Sequence, residues 1–296
     1  MDSLFNCRVL ITGGAGFTGK HLITKLQGLG AKVKVLTKEE SLLNDSALPK
    51  LTEAISQYNP EYVFHLAAIS FVGHKKKSDF YDVNVIGTDC LLSALCDANL
   101  AHLKKVIIVS SANVYGNKES NSINEAEICE PVNHYAISKV AAEAIAKTYF
   151  DDLPIIITRP FNYTGMGQSD SFIIPKLVKS FQRKDAQIEV GNIETKRDFS
   201  SVDFVVNAYI KLILSPFDSE IVNICSGKTY KISKIIEMLS ELSGHHPVIL
   251  INPAFIRKNE IMDIGGDNKK LISMIGQLKI DTLDETVMHM YKGLSK

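Results

Sequence analysis

Short runs of apolar residues alternate with longer amphipathic segments over the first 160 residues of the chain. The short runs are rich in valine and isoleucine, which is typical of strands covered on both faces of a parallel sheet. In the longer segments, apolar residues recur with the period of an α-helix. Strands that alternate with helices of ten or more residues require crossover connections. The pattern therefore predicts a doubly wound α/β fold with a parallel sheet of the Rossmann type.

The individual elements of this first half follow from the same pattern. Strands are predicted at 7–12, 32–36, 62–66, 105–110 and 154–158. Helices are predicted at 19–29, 48–57, 79–98 and 132–150.

Beyond residue 160 the pattern is less regular. A turn-rich stretch at 162–171 precedes predicted helices at 172–182, 201–214 and 232–243, a strand at 220–225, and short strands and loops from Pro247. Because neither an internal repeat nor a low-complexity linker separates the halves, we expect a second lobe built into the first. The sequence predicts a Rossmann domain at 1–160 that also receives about 196–226, and a smaller interleaved C-terminal α/β lobe at 161–195 and 227–296.

A glycine-rich turn, TGGAGFTG at 12–19, lies between the first predicted strand and the first predicted helix. Its glycines, Gly13, Gly16 and Gly19, permit a tight turn, close approach of the backbone to a pyrophosphate, and close packing of helix on strand. The start of the helix offers free N–H groups and a positive dipole to that anion. This strand–turn–helix context predicts binding of a dinucleotide.

The end of the second predicted strand bears on the choice of dinucleotide. An acidic residue there would hydrogen-bond the ribose of NAD. This chain instead has Thr37 and Lys38, with Glu39 and Glu40 following. A hydroxyl and a cation tolerate a 2′-phosphate, so the sequence favours NADP, and NAD remains possible.

Three further residues predict proton chemistry. Tyr135 and Lys139 are four residues apart in a predicted helix and therefore share a face, and Ser111 ends an earlier apolar run. A phenol ordinarily has a pKa of about 10, and a neighbouring cation is expected to lower that pKa. Such a phenol exchanges a proton as a carbonyl–alcohol interconversion requires, and the Ser111 hydroxyl would bind the carbonyl oxygen. Tyr-x-x-x-Lys alone is typical of helix surfaces; the glycine turn supplies the context.

Composition excludes several classes of protein. The 296 residues include 33 basic and 33 acidic side chains, and this balance argues against binding nucleic acid or an anionic membrane through bulk charge. No apolar stretch approaches the roughly 20 residues that span a bilayer, and the first residues lack the pattern of a signal peptide. The five cysteines show no Cys-x-x-Cys spacing. They predict reduced thiols of a cytoplasmic protein without a metal site.

Several motifs, taken with the glycine turn and the Tyr135/Lys139 pair, resemble the extended short-chain dehydrogenase/reductases. They are HLAA at 65–68, NVIGT from Asn84, SSANVYG at 110–116, RPFNYTG at 159–165, GNIETKRDF at 191–199, VNICSG at 222–227, and Arg257 with Glu260. The resemblance covers essentially the whole chain. The later motifs are most similar to the branch that acts on nucleoside-diphosphate sugars, particularly the GDP-4-keto-6-deoxymannose reductases.

The resemblance implies a role for each matching position. Cofactor contacts are implied for Gly13, Gly16, Phe17, Thr18, Gly19, Leu66, Ala67, Ala68, Asn84, Tyr135, Lys139 and Pro160. Substrate contacts are implied for Ser111, Asn162, Arg197, Arg257 and Glu260. Guanidinium groups bind phosphate through paired hydrogen bonds, and carboxylates accept hydrogen bonds from ribose hydroxyls. The C-terminal lobe would then bind the nucleotide sugar, and two chains would pair through the helices at 79–98 and 132–150.

Three of these substrate contacts have a plainer alternative. Arg197 could pair with Asp198 or Asp203, Arg257 could be a solvated loop charge, and Asn162 could cap a turn. The segment Arg257-Lys-Asn-Glu260 also departs from the Arg-Pro-x-Asp pattern of the resembling reductases. That departure leaves the nucleotide base open among GDP, CDP, UDP and dTDP.

The residues after Ser111 bear on the reaction. Sugar-nucleotide dehydratases place carboxylates there, whereas this chain has Ala112 and Asn113, so dehydration is disfavoured. Epimerases share the Ser-Ala-x-Val-Tyr-Gly run and stay possible. The positions of Cys129 and His134 do not match the Cys/His pair of GDP-fucose synthases, and His134 is more typical of a helix start.

These residues favour NADPH-dependent reduction of the C4 ketone of a nucleoside-diphosphate 4-keto-6-deoxy sugar. An NAD-dependent 4-epimerase is the first alternative, and a catalytically silent NADP-binding regulator is the second.

Overall fold

A six-stranded parallel sheet forms the centre of the protein in the computed structural model, which describes residues 3–37, 48–118, 120–256 and 262–293. The strands are β1 (Arg8–Thr12), β2 (Lys32–Leu36), β3 (Tyr62–His65), β4 (Lys105–Val109), β6 (Ile155–Pro160) and β10 (Glu220–Ile224). Their order across the sheet is β10-β6-β4-β3-β1-β2, and every neighbouring pair is parallel. This is the predicted Rossmann-type sheet.

Helices cover both faces of this sheet. They are α1 (Phe17–Gly28), α2 (Leu48–Tyr58), α4 (Gly87–Asp97), α5 (His134–Thr148) and α7 (Val202–Ile213). Side chains alternate between faces along a strand, and in β1 Val9 and Ile11 pack with α1 and α7, whereas Leu10 packs with α2, α4 and α5. The two buried layers confirm the doubly wound architecture.

The helix predicted at 79–98 is interrupted. A short helix α3 (Ser78–Tyr81) continues into a π-helical turn (Asp82–Ile86) before α4 begins. A π-turn inserts one extra residue into a helix, and here it carries Asn84, which is 1% exposed and points into the protein. Helical periodicity alone does not reveal such an insertion.

The C-terminal lobe contains the remaining strands and three packed helices. β7 (Asn162–Thr164), β9 (Lys196–Ser201), β11 (Thr229–Lys231), β13 (Asp263–Gly266) and β5 (Ser120–Ile123) form one sheet, and β8 (Gln187–Val190) pairs with β12 (Val248–Ile251). The helices α6 (Ile173–Arg183), α8 (Ile232–Ser243) and α10 (Leu283–Lys292) share an apolar core. β5 comes from the first half of the chain, so the lobe is interleaved with the Rossmann part. The residue boundaries of the two predicted domains stay a prediction.

Of the short strands and loops predicted from Pro247, the strands β12 and β13 are present, but the prediction missed two helices. This region contains α9 (Lys269–Ile275) and α10. The start of α10 has a capping box, in which Thr282 Oγ1 accepts from the Glu285 N–H and the Glu285 carboxylate accepts from the Thr282 N–H. The Thr-x-x-Glu spacing was therefore a usable signal of a helix start.

Nowhere in the described ranges is a helix both long enough and apolar enough to cross a membrane.

Candidate active site

Several of the residues predicted to act on ligands lie at one edge of the central sheet. Thr12, His65, Val109 and Pro160 are the last residues of β1, β3, β4 and β6. Ligands of open α/β sheets bind outside the carboxyl ends of the strands. The glycine turn, the segment after β3 and Ser111 all extend from this edge.

The glycine turn is packed too closely for side chains. Gly13 has φ of 71°, and a Cβ there would lie 2.6 Å from the backbone nitrogen of Ala67. A Cβ on Gly19 would lie 2.5 Å from the carbonyl oxygen of Gly13. The first contact brings the turn against the segment after β3, and the second seats α1 on the turn.

The start of α1 has the properties of an anion site. Gly16 is the N-cap and provides no side-chain cap, and the first turn contains no acidic residue. The first N–H groups of a helix have no partner within the helix, so those of Phe17, Thr18 and Gly19 are directed out of its N-terminus. This arrangement fits the pyrophosphate of a dinucleotide.

A contact that the sequence reasoning missed joins this turn to the C-terminal lobe. The Thr18 and Tyr163 hydroxyls are 2.8 Å apart, and the Phe17 ring stacks on that of Tyr163 with centroids 6.1 Å apart. His21 on α1 also donates to the carbonyl of Met166, at 2.8 Å. The glycine turn therefore lies directly beside the segment that begins at Asn162.

The predicted contacts to the adenosine ribose are only partly described. Thr37 is exposed and directly follows β2. Lys38 lies outside the described residues. The preference for NADP, which depends on both side chains, stays a prediction.

Ser111, Tyr135 and Lys139, hereafter the Ser–Tyr–Lys trio, are buried at this edge. Their exposed fractions are 7%, 7% and 6%, respectively. Tyr135 and Lys139 lie one turn apart on α5, and Ser111 follows β4 directly. This burial excludes the alternative of a solvated pair on the surface of a helix.

The hydroxyl of Ser111 is oriented by Asn113, two residues later in the sequence. Ser111 Oγ accepts from both the backbone N–H and the side-chain Nδ2 of Asn113, each at 3.2 Å. Because a hydroxyl has two acceptor lone pairs and one proton, its proton is left to donate. Ser111 also hydrogen-bonds Tyr135 and thereby favours the phenolate.

Burial decides the protonation of Tyr135. It raises the pKa of Tyr135 to about 12, and the hydrogen bond from Ser111 opposes this only in part. The expected lowering of this pKa by Lys139 is not found among the causes of the shift. Lys139 Nζ donates to the carbonyl oxygen of Val109, at 2.7 Å. Burial lowers the pKa of Lys139 itself to about 8, with the Glu143 carboxylate acting in the opposite direction. Tyr135 is thus a protonated phenol at neutral pH, which is the form that donates a proton.

A buried ion pair behind the trio was also missed by the sequence reasoning. Glu143 accepts from Arg159 Nε at 3.0 Å and from Arg159 Nη2 at 2.6 Å, and Ser110 donates to the same carboxylate. Both charged side chains are 4% exposed. Arg159 also donates to the Tyr115 hydroxyl at 3.0 Å. The signal in the sequence was a carboxylate four residues after Lys139 on the same helix face.

The side chain of Asn84 makes hydrogen bonds to other residues of the protein. Its Oδ1 accepts from the N–H of Ile69 at 2.8 Å, and its Nδ2 donates to the Ile69 carbonyl at 3.2 Å and to Ser138 Oγ at 2.9 Å. It therefore links the segment after β3 to α5. Its predicted role toward the cofactor stays a prediction.

Two of the predicted substrate residues lie on neighbouring strands. Asn162 is exposed at the start of β7 and is paired with Phe199 of β9, two residues after Arg197. Arg197 Nη1 donates to the carbonyl of Lys196, at 2.7 Å. Arg257 and Glu260 lie outside the described residues.

His134 is the first residue of α5, as predicted, and its Nδ1 lies 2.8 Å from the Tyr81 hydroxyl. Cys129 Sγ accepts from Arg159 Nη2 at 3.3 Å. Each of these two side chains thus has a partner within the protein.

Comparisons with known proteins agree with this arrangement. The profile described as the NAD dependent epimerase/dehydratase family matches residues 9–225. GDP-6-deoxy-D-talose 4-dehydrogenase from Aggregatibacter actinomycetemcomitans is 36% identical over 289 residues, covering 97% of each chain. GDP-6-deoxy-D-mannose reductase from Pseudomonas aeruginosa is 30% identical over 282 residues, covering 91% of each chain. The structure of RMD from Pseudomonas aeruginosa complexed with NADPH has a TM-score of 0.85 at 28% identity, covering 97% of this chain and 98% of that one.

Proposed function

The chain belongs to the NAD-dependent epimerase/dehydratase family, and we propose that within it this protein is an NADPH-dependent 4-ketoreductase of a nucleoside-diphosphate 4-keto-6-deoxy sugar. The predicted resemblance to nucleotide-sugar reductases is confirmed by relatives named for GDP-6-deoxy sugars. The family and these relatives make the chain an oxidoreductase of nucleotide sugars with a nicotinamide dinucleotide cofactor. The direction of reaction and the particular ketone are the proposal.

The observation that carries this proposal is the set of groups around Ser111. Ala112 is 5% exposed and belongs to an apolar cluster, and the Asn113 amide is used to orient Ser111. Elimination of water from C5 and C6 would need a carboxylic acid and a base at these two positions. The local geometry supports carbonyl chemistry instead.

The trio supplies the proton side of the reduction. NADPH, when bound, supplies a hydride to the C4 carbonyl carbon. Tyr135 donates its proton to the oxygen as that oxygen becomes an alcohol, and Ser111 hydrogen-bonds the same oxygen. Preorganised donors aimed at developing negative charge contribute about 3–4 kcal/mol each to catalysis in favourable sites. The Tyr135 phenolate then regains a proton from water, so one ketone, one NADPH and one proton give one alcohol and one NADP⁺.

Other residues of the same edge would bind the two ligands. The N–H groups at the start of α1 bind the pyrophosphate of the cofactor, and Lys139 binds the ribose next to the nicotinamide. Asn162 and Arg197 would contact the diphosphate of the sugar nucleotide. The contacts implied for Arg257 and Glu260, which lie outside the described residues, stay predictions. The 2′-phosphate of NADP would lie against Thr37 and Lys38, and the NADPH complex of the similar Pseudomonas aeruginosa structure supports this preference.

The assembly we propose is a homodimer. Ile86 at the end of the π-turn and Ile137 on α5 are 43% and 39% exposed, respectively. These two apolar side chains lie on neighbouring helical segments, whereas Leu91 and Leu95 on α4 belong to the protein's own core. The proposed interface is the face that contains Ile86 and Ile137.

The decisive experiment is a substrate panel. Purified protein is incubated with NADPH or NADH and with 4-keto-6-deoxy sugars linked to GDP, CDP, UDP or dTDP, and the configuration at C4 of each product is determined by NMR. We expect one NADPH to be consumed for each alcohol formed. Talose and mannose are epimers at C4, so the configuration of a GDP-linked product shows which of the two named relatives this chain matches in stereochemistry.

Two other results would contradict the proposal. Copurified NAD together with sugar conversion in the absence of added reductant would identify an epimerase. Tight NADPH binding without turnover of any ketosugar in the panel would identify a silent regulator.

A further inference from the structure

His65 lies between the glycine turn and the helical segment that contains the π-turn. It is the last residue of β3 and is 3% exposed. Its Nδ1 is 2.7 Å from Thr12 Oγ1, and its Nε2 is 2.9 Å from Thr88 Oγ1. Burial, with a smaller contribution from the Lys139 cation, lowers the pKa of His65 to about 3. The imidazole is therefore neutral at working pH, with one donor and one acceptor nitrogen.

The neighbouring groups determine which nitrogen carries the proton. Thr12 Oγ1 accepts from the Ala67 N–H at 3.2 Å, so its own proton is available to His65 Nδ1. Thr88 Oγ1 donates to the carbonyl of Asn84 at 2.8 Å, so it must accept from His65 Nε2. Only the tautomer with hydrogen on Nε2 satisfies both partners.

The side chain of Asn84, which is joined covalently to the carbonyl of that residue through its own backbone, continues the connection to Tyr135. Asn84 Nδ2 donates to Ser138 Oγ at 2.9 Å, and Ser138 Oγ donates to the backbone carbonyl of Tyr135 at 2.7 Å. Each hydroxyl in the series gives one proton and accepts one. The series therefore runs in a single direction from the end of β1 to the first turn of α5.

We propose that His65 is a positioning residue that, as the neutral Nε2–H tautomer, fixes the glycine turn relative to the Tyr135 phenol. The expected effect on ketosugar reduction rests on the proposed function. The tautomer of His65, and the coupling of the glycine turn to the start of α5, do not depend on which reaction the protein catalyses. Displacement of a reacting group by about 1 Å can cost 10²-fold in rate. A chain of short hydrogen bonds that limits such displacement accordingly acts on turnover more than on substrate binding.

The tautomer is tested directly by NMR on protein with ¹⁵N-labelled histidine. The chain has eight histidines, and the signals of His65 are assigned by their loss in His65→Gln. We expect a protonated Nε2 and an unprotonated Nδ1 that remain unchanged between pH 8 and pH 5. A proton on Nδ1, or titration of His65 near pH 6.5, would overturn the assignment.

The coupling is tested with a matched pair, Thr88→Val and Thr88→Ser. Valine removes the hydroxyl at nearly constant volume, whereas serine keeps it. We expect kcat for ketosugar reduction to fall about tenfold or more in Thr88→Val with KM changed less than about twofold, and to stay within about twofold of wild type in Thr88→Ser. Equal kcat values for wild type and Thr88→Val would overturn the proposal.

A second readout does not depend on turnover. Hydrogen–deuterium exchange is measured across the first turns of α5 with and without NADPH. We expect NADPH to slow exchange there in wild type and in Thr88→Ser, and to slow it much less in Thr88→Val. Equal protection in all three proteins would overturn the coupling, whereas normal coupling without ketosugar turnover would contradict only the proposed function. If Thr88→Val does not fold, His65→Gln replaces it in both measurements.

Discussion

Burial determines the proton chemistry of Tyr135, because it sets the pKa of the phenol. The ring of Phe80 packs 6.2 Å from the Tyr135 ring between centroids, and burial raises that pKa to about 12. A sequence does not reveal desolvation of this kind, because the residues that cover a side chain come from distant segments.

The role of the Tyr135 proton is tested by Tyr135→Phe. We expect kcat for ketosugar reduction to fall by about 10²–10⁴, since general acid catalysis contributes rate factors of that size. NADPH binding, followed by its fluorescence, should remain. Tyr149→Phe is the matched control, because Tyr149 follows α5 and its hydroxyl donates to Asp89 at 2.8 Å. Near wild-type turnover in Tyr135→Phe would disprove the assignment.

Lys139 should make stability depend on pH above neutrality. Its pKa is about 8 in the folded protein against an ordinary value of 10.5, so between these values the unfolded chain binds more protons. Stability then rises with pH. Between pH 7 and 9.5 we expect wild type to gain about 2 kcal/mol more than Lys139→Met. Urea denaturation at both pH values measures this, and parallel pH profiles of the two proteins would contradict it.

At the scale of elements, the sequence predicted local constraints well and distant pairings poorly. The glycine turn was predictable because Gly13 and Gly19 have no space for side chains. This constraint selects glycine at fixed positions within eight consecutive residues, 12–19, where the sequence shows it. The π-turn around Asn84 was not predictable, because its extra residue is stabilised by Ile69 and Ser138, which lie far away in sequence. β5 and β7 are short and acquire their strand geometry from partners more than 35 residues away.

The ion pair that joins α5 to β6 is predicted to be essential for stability. Glu143→Gln leaves the charge of Arg159 buried without its partner, which typically costs about 3–5 kcal/mol. The control is Glu237→Gln, which breaks the exposed Lys234–Glu237 pair of 3.1 Å and should cost about 0–1 kcal/mol. Urea unfolding monitored by circular dichroism compares the two. A similar decrease in the free energy of unfolding for both variants would show that the buried pair stabilises the protein no more than the exposed pair does.

At the scale of the whole molecule, the two lobes meet at the glycine turn. Tyr163 of β7 contacts Thr18 and Phe17 at the start of α1, and Asn162 directly precedes it. The expected C-terminal lobe was predictable from the change of pattern after residue 160. The contact of this lobe with the glycine turn was not predictable, because neither Thr18 nor Tyr163 belongs to a local pattern that indicates a distant partner.

The proposed dimer gives a test at this scale. Ile137→Glu would bury a carboxylate in an apolar interface, and a buried unpaired charge is strongly unfavourable. We expect wild type to have twice the chain mass by light scattering and Ile137→Glu to have the mass of one chain. Val248→Glu, at a position 55% exposed on β12, is the control and should leave the mass unchanged. A monomeric wild type would reject the dimer.

The position of β5 has a consequence for synthesis of the protein. This strand emerges early from the ribosome, but its partner β13 is made about 140 residues later and β10, the outer strand beside β6, also comes late. Until then both sheets have unpaired edges, which favour association with other chains. Such long-range pairing slows folding. The nascent chain therefore completes both sheets only after β13 has been synthesised, and we expect it to depend on chaperones during that interval.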